Sequence, residues 1–125
     1  MSKLLIIDDD EKMRTMIARM LSPPYQVLQA KNGREGLELF QQHGPALVIT
    51  DIMMPEKDGI ETIREIRRTD PQVPVLAMSG SSFHDGNPDF LKFAAEFGAD
   101  AVLAKPFRSR QLLDAVNRAL QPRGA

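Results

Sequence analysis

The stretch Leu4-Leu5-Ile6-Ile7-Asp8-Asp9-Asp10 sets four aliphatic residues against three acids. A short, uniformly apolar run bounded by polar residues fits a strand buried on both faces, since a half-buried strand would alternate. The pattern returns along the chain. Leu47-Val48-Ile49-Thr50 is stopped by Asp51, residues 75–78 by Ser79-Gly80-Ser81-Ser82, and residues 101–104 by Lys105-Pro106. Residues 25–30 read as a further strand, second in chain order.

Helical stripes separate these runs. Met13, Met16, Ile17, Met20 and Leu21 share one helix face, and Pro23-Pro24 ends that helix. Asn32 is placed to cap the next helix, with Glu35 three residues on, and Gly44-Pro45 closes it after His43. Asp58 and Glu61 repeat the cap spacing ahead of Ile60, Ile63 and Ile66. Asn87-Pro88 opens a helix carrying Phe90, Ala94 and Phe97, which Gly98 ends. Leu112, Leu113, Val116, Ala119 and Leu120 stripe the last one. Five strands alternating with five helices predict an α/β fold: a doubly wound five-stranded parallel sheet with five flanking helices.

Composition narrows the function. The chain has 125 residues, 42% hydrophobic and 26% charged, which suits one globular domain over 1–125. Cysteine is absent, so disulfides and thiolate metal sites are excluded. A net charge of −1 supplies no basic field for nucleic acid. No apolar run approaches a membrane span, and the one near the N-terminus is too short for a signal peptide. The expected setting is cytoplasmic, with no stretch left over for an effector domain.

In open α/β sheets ligands bind outside the carboxyl ends of the strands. The residues there are Asp8, Asp9 and Asp10 after the first strand, Asp51 after the third, Ser79 after the fourth and Lys105 after the fifth. Three carboxylates, a hydroxyl and an ammonium should therefore converge. Clustered carboxylates repel unless protonated or neutralised by a cation. Oxygen-only ligands suit Mg²⁺, which keeps waters for phosphate. Asp9, Asp10 and Glu11 also suit the start of the first helix, as cap and dipole partners. A carboxylate such as Asp51 can accept a phosphoryl group, and such transfer mainly requires positive charge and donors around the phosphoryl oxygens. Mg²⁺, Lys105 and Ser79 would supply them. Pro106 keeps Lys105 out of a helix and is a place for a cis bond.

Together, LLIIDDDEKMR, LVITDIMMPEKDG, VLAMSG and GADAVLAKPF resemble the receiver domain of two-component response regulators, in the family's order and over essentially the whole chain. The resemblance implies the flavodoxin-like strand order 2-1-3-4-5. It implies a stand-alone phosphoacceptor, not a turnover enzyme. Asp51 would take a phosphoryl group from a sensor histidine kinase or histidine phosphotransfer protein and lose it slowly by hydrolysis. Asp9 would bind Mg²⁺ directly and Asp8 partly through water, with Asp51 and the backbone carbonyl of Met53 completing the ligands. Ser79 would bond a phosphoryl oxygen, Lys105 would pair with its charge, and Gly80 would leave it room. Output would be by contact with an unknown downstream protein, through the surface from Pro88 to Leu120, as a monomer or a phosphorylation-dependent dimer.

Two positions depart from the family pattern. Val102 stands three residues before the lysine, where receivers carry an aromatic ring that rotates with the hydroxyl. The stretch from Ser79 to Gly98 is a few residues longer than the resemblance implies, with the excess in Ser81 to Pro88, which holds Phe83, His84 and Gly86; this loop and the helix after it are the candidate replacement for that ring. Three other readings compete. A phosphatase with an aspartate nucleophile would need a second acid at position 53, which is methionine. A nucleotide or flavin binder would need a glycine-rich loop after the first strand, where acids stand instead. A pseudo-receiver that binds partners without phosphorylation would not need the full set of acids, hydroxyl and lysine. His43 and His84 lack ligand spacing. Arg64, Arg67 and Arg68 read as a solvated helix face, and Arg108 and Arg110 as a possible partner border.

Overall fold

A computed structural model of the chain describes residues 2–52, 59–79, 96 and 98–121. Its elements are β1 (Lys3–Ile7), α1 (Glu11–Leu21), β2 (Gln26–Ala30), α2 (Gly33–His43), β3 (Leu47–Asp51), α3 (Gly59–Thr69), β4 (Val75–Ser79), β5 (Ala101–Ala104) and α4 (Ser109–Leu120). The five strands are parallel and ordered β2-β1-β3-β4-β5, as the resemblance implied. Four helices lie among the described residues rather than the five expected. The remaining one, read at 88–97, falls outside them apart from Glu96, and so does the stretch from Ser81 to Pro88.

The apolar runs form strands because both of their faces are covered. Leu4, Ile6, Leu47, Ile49, Leu76 and Met78 face Ile17 and Leu21 of α1 and Leu112 and Val116 of α4. Leu5, Ile7, Val48, Val75 and Ala77 face the other way, against Phe40 of α2 and Ile63 and Ile66 of α3. Leu4, Leu5, Ile6 and Ile7 are all fully buried, which is why that run shows no alternation. Each such side chain contributes roughly 1.5–3 kcal/mol by leaving water.

Local signals set the helix starts. Asp10 caps α1, its carboxylate accepting from the backbone N–H groups of Lys12 (3.0 Å) and Met13 (3.4 Å). Asn32 caps α2 by accepting from the N–H of Glu35 at 2.8 Å. At the start of α3 the backbone runs against the end of β3. A Cβ on Gly59 would overlap the carbonyl oxygen of Asp51, so only glycine fits.

The register brings the strand ends level. Ile7 pairs with Thr50, so the next residues, Asp8 and Asp51, leave β1 and β3 side by side. Ser79 pairs with Ala104, so Lys105 comes next beside it. No helix among the described residues is long and apolar enough to cross a membrane.

Candidate functional site

Asp8, Asp9 and Asp51 each bring a carboxylate oxygen within 4.8 Å of the others. Their environments differ. Asp8 is fully buried, Asp51 is nearly so, and Asp9 is exposed. The three consecutive acids thus divide their work. Asp10 caps the helix, while Asp8 and Asp9 turn toward the carboxyl edge of the sheet.

Lys105 bridges the two buried members. Its Nζ donates to Asp51 Oδ2 at 2.9 Å and to Asp8 Oδ2 at 3.1 Å. The Lys105–Pro106 peptide bond is cis. The backbone N–H of Lys105 donates to the carbonyl oxygen of Ser79 at 2.7 Å, tying the ends of β4 and β5 together. Asp8 is held at every polar atom. Its N–H donates to Ala30 O at 3.1 Å, Oδ1 accepts from the N–H of Asp10 at 2.9 Å, and its carbonyl oxygen accepts from Arg14 Nη1 at 2.7 Å.

Electrostatics derive from burial. Burial pushes the Asp8 carboxyl up to about 6. The Asp10 N–H and the Lys105 charge pull it down, and the Asp51 charge pushes it up further. Lys105 is affected in the opposite sense. Burial alone would lower its pKa, but the hydrogen bond and charge of Asp51, with those of Asp8, leave it raised. The ammonium is therefore firmly charged at neutral pH.

Ser79 closes the set. Its Oγ is fully buried and has no hydrogen-bond partner among the described residues. A buried hydroxyl in that state costs free energy, and a ligand oxygen would relieve it. The donor set also fits a hard divalent ion. It is all oxygen, lies on one edge, and includes one exposed carboxylate through which a partly hydrated ion can enter. Met53, read as a carbonyl ligand, lies outside the described residues, as does Gly80. Val102 is half-buried and packs against the α2–α3 side of the core.

Two arginines make contacts that the sequence pattern does not signal. Arg14 reaches back from α1 to Asp8. Arg67 is not part of a solvated face. Its guanidinium donates to Gly98 O (2.9 Å), to Val73 O and to Asp100 Oδ2 (2.6 Å). Asp100 Oδ2 in turn accepts from the N–H of Val75 at 2.7 Å. Gly98 adopts φ +106°, and a Cβ there would sit 2.9 Å from Arg67 Cγ. One signal was available. Arg67 lies four residues after Ile63, and so at the margin of the buried stripe.

Comparisons with known proteins agree with this geometry. A family model described as "Response regulator receiver domain" matches residues 4–117. The chemotaxis protein CheY of Bacillus subtilis is 35% identical over 120 residues, covering 94% of this chain and 97% of the relative. The CheY of Halobacterium salinarum is 32% identical over 119 residues, covering 94% and 96%. A solved response regulator receiver domain protein from Clostridium thermocellum superposes with a TM-score of 0.85 at 32% identity, covering 96% of this chain and 94% of that one.

Proposed function

Because the chain belongs to the response regulator receiver domain family, we propose that it is a phosphoacceptor that takes a phosphoryl group onto Asp51 and signals through protein contacts. The observation that carries this reading is the pairing of Asp51 with Lys105 at 2.9 Å beside a buried Ser79 hydroxyl that has no partner among the described residues. A nucleophile, a cation and a donor then stand together at one edge of the sheet.

The donor would be a phosphohistidine of a sensor kinase or phosphotransfer protein. An Asp51 carboxylate oxygen attacks phosphorus in line, a P–O bond forms, the P–N bond breaks, and the histidine nitrogen keeps the electron pair. Lys105 releases Asp51 and pairs with a phosphoryl oxygen. Ser79 donates its O–H to another. Mg²⁺ held by Asp8, Asp9, Asp51 and the Met53 carbonyl would supply the remaining positive charge. Water then hydrolyses the acyl phosphate and restores the carboxylate. This is self-catalysed phosphotransfer and dephosphorylation rather than turnover of a substrate.

In this reading residues 1–125 form one cytoplasmic receiver domain whose fifth helix is the one read at 88–97. The output surface runs from Pro88 to Leu120 and meets a downstream protein, as a monomer or a phosphorylation-dependent dimer. Val102 offers no ring to couple Ser79 to that surface, so the stretch from Ser81 to Pro88 and the helix read after it take over the coupling.

The test uses intact mass after incubation with a small acyl-phosphate donor. Wild type gains a phosphate increment with Mg²⁺ and little without it, and Asp51→Asn gains none. An equal increment in Asp51→Asn, or none in wild type, rejects the assignment.

A further inference from the structure

Asp8 and Asp9 are adjacent in sequence but are placed by different means. Asp8 is fully buried and has a partner at its N–H, at both carboxylate oxygens and at its carbonyl oxygen. Asp9 is exposed, and its carboxylate takes no hydrogen bond from any described residue. Its position is therefore inherited from the backbone that carries it. The peptide joining the two acids is trans, so its C=O and N–H point in opposite directions. Fixing one fixes the other, and with it the direction in which the chain leaves toward Asp9.

The group that fixes it is Arg14. Its half-buried guanidinium donates from Nη1 to the carbonyl oxygen of Asp8 at 2.7 Å, across six residues. Arg14 is itself anchored in the first turn of α1, where its N–H donates to Asp10 O at 3.0 Å. That turn is in turn capped by the Asp10 carboxylate. The helix therefore braces the loop that precedes it. We infer that Arg14 is a positioning residue for the cation site: it orients the Asp8–Asp9 peptide and so holds the exposed Asp9 carboxylate in register with Asp8 and Asp51. The inference rests on the reading of those three carboxylates as a Mg²⁺ site.

Charge and geometry make opposite predictions here, which makes the role testable. Arg14 is a cation close to a site for a cation. If its charge were all that mattered, removing it would tighten Mg²⁺ binding. If it positions Asp9, removing it loosens binding, and outer partners of metal ligands typically matter by about 10–100-fold.

Mg²⁺ affinity is measured by titration calorimetry on the full chain for wild type, Asp9→Asn, Arg14→Met and Arg14→Lys, with far-UV circular dichroism in EDTA as the check on folding. Wild type binds and Asp9→Asn does not. Arg14→Met binds about ten-fold more weakly than wild type, and Arg14→Lys, which keeps a donor and the charge, falls between them. A folded Arg14→Met that binds as tightly as wild type, or more tightly, overturns the inference and leaves the site intact. An Arg14→Met that fails to fold passes the decision to Arg14→Lys, where wild-type affinity overturns it and a loss supports it. Absence of binding in wild type itself removes the Mg²⁺ reading and this inference with it.

Discussion

Replacing Asp8 by asparagine should stabilise the metal-free protein, although it removes a group at the centre of the site. Burial is the main reason the Asp8 carboxyl is pushed from 3.8 to about 6, against the pull of the Asp10 N–H and Lys105. The folded chain therefore holds a proton there more tightly than the unfolded chain does. Stability consequently falls as pH rises from about 4 to about 6, and above that the ionised carboxylate costs roughly 3 kcal/mol. Asparagine removes this cost. It keeps an oxygen for the Asp10 N–H but loses the acceptor that Lys105 uses at 3.1 Å, a loss of about 1 kcal/mol. The net gain is about 2 kcal/mol near pH 7.5, or about 8 °C in Tm for a chain of this size. Near pH 4.5 the wild-type carboxyl is mostly protonated in the folded state, and the gain falls to about zero. Thermal and urea unfolding followed by far-UV circular dichroism in EDTA, at both pH values, measures it. Saturating Mg²⁺ should narrow or invert the difference, since at a hundred times Kd it adds about 3 kcal/mol to a protein that binds it. A variant no more stable than wild type near pH 7.5, or a difference that does not change with pH, refutes the reasoning.

Two further substitutions probe the neighbouring groups. Ser79→Ala removes a buried hydroxyl that has no partner among the described residues, so the unphosphorylated protein should gain up to about 1 kcal/mol in urea unfolding. The same variant should be phosphorylated at least about ten-fold more slowly by a small acyl-phosphate donor, because a hydrogen bond to a charged oxygen is lost; equal rates would remove Ser79 from the chemistry. Arg67→Met removes the donor to Gly98 O and Val73 O and the cation paired with Asp100, and should cost about 2–3 kcal/mol, the ion pair being partly exposed. A change under about half a kcal/mol in urea unfolding would return Arg67 to the solvated face.

The sheet was legible because parallel strands advertise themselves. β1, β3 and β4, covered on both faces, read as unbroken aliphatic runs, and the partly exposed edge strand at 101–104 was still bounded to the residue. The site was legible for a related reason. In a parallel sheet every strand delivers its last residue to the same edge. The positions just past each run therefore collect Asp8, Asp9, Asp51, Ser79 and Lys105 without coordinates. Three things were not legible. Adjacent acids look alike in sequence, and only the burial of Asp8, the exposure of Asp9 and the cap hydrogen bonds of Asp10 separate their roles. Arg14 acts across a loop, and no helical or strand period marks a contact of that kind. Arg67 adjoins the exposed-looking Arg68, and its partners at 73, 98 and 100 come from two other segments.

In the proposed reading, the features that carry a free-energy cost in the unphosphorylated, metal-free protein are the ones a cation and a phosphoryl group would meet. Asp8 is an ionisable group without solvent, and Ser79 is a hydroxyl without a partner among the described residues. Lys105 is stretched between two carboxylates that also face each other. The buried acid and the buried hydroxyl are unfavourable features that a cation and a phosphoryl oxygen would relieve, so local destabilisation there is the counterpart of affinity. Ser79 and Lys105 are moreover joined by a backbone hydrogen bond of 2.7 Å, independent of any side chain at 102. In the proposed reading, valine at 102 therefore leaves the phosphoryl chemistry intact and alters only how the state of Ser79 is read elsewhere. That separates two questions usually taken together: phosphate uptake should respond to Ser79, Lys105 and Asp51, whereas partner affinity should depend on what stands in place of a ring at Val102.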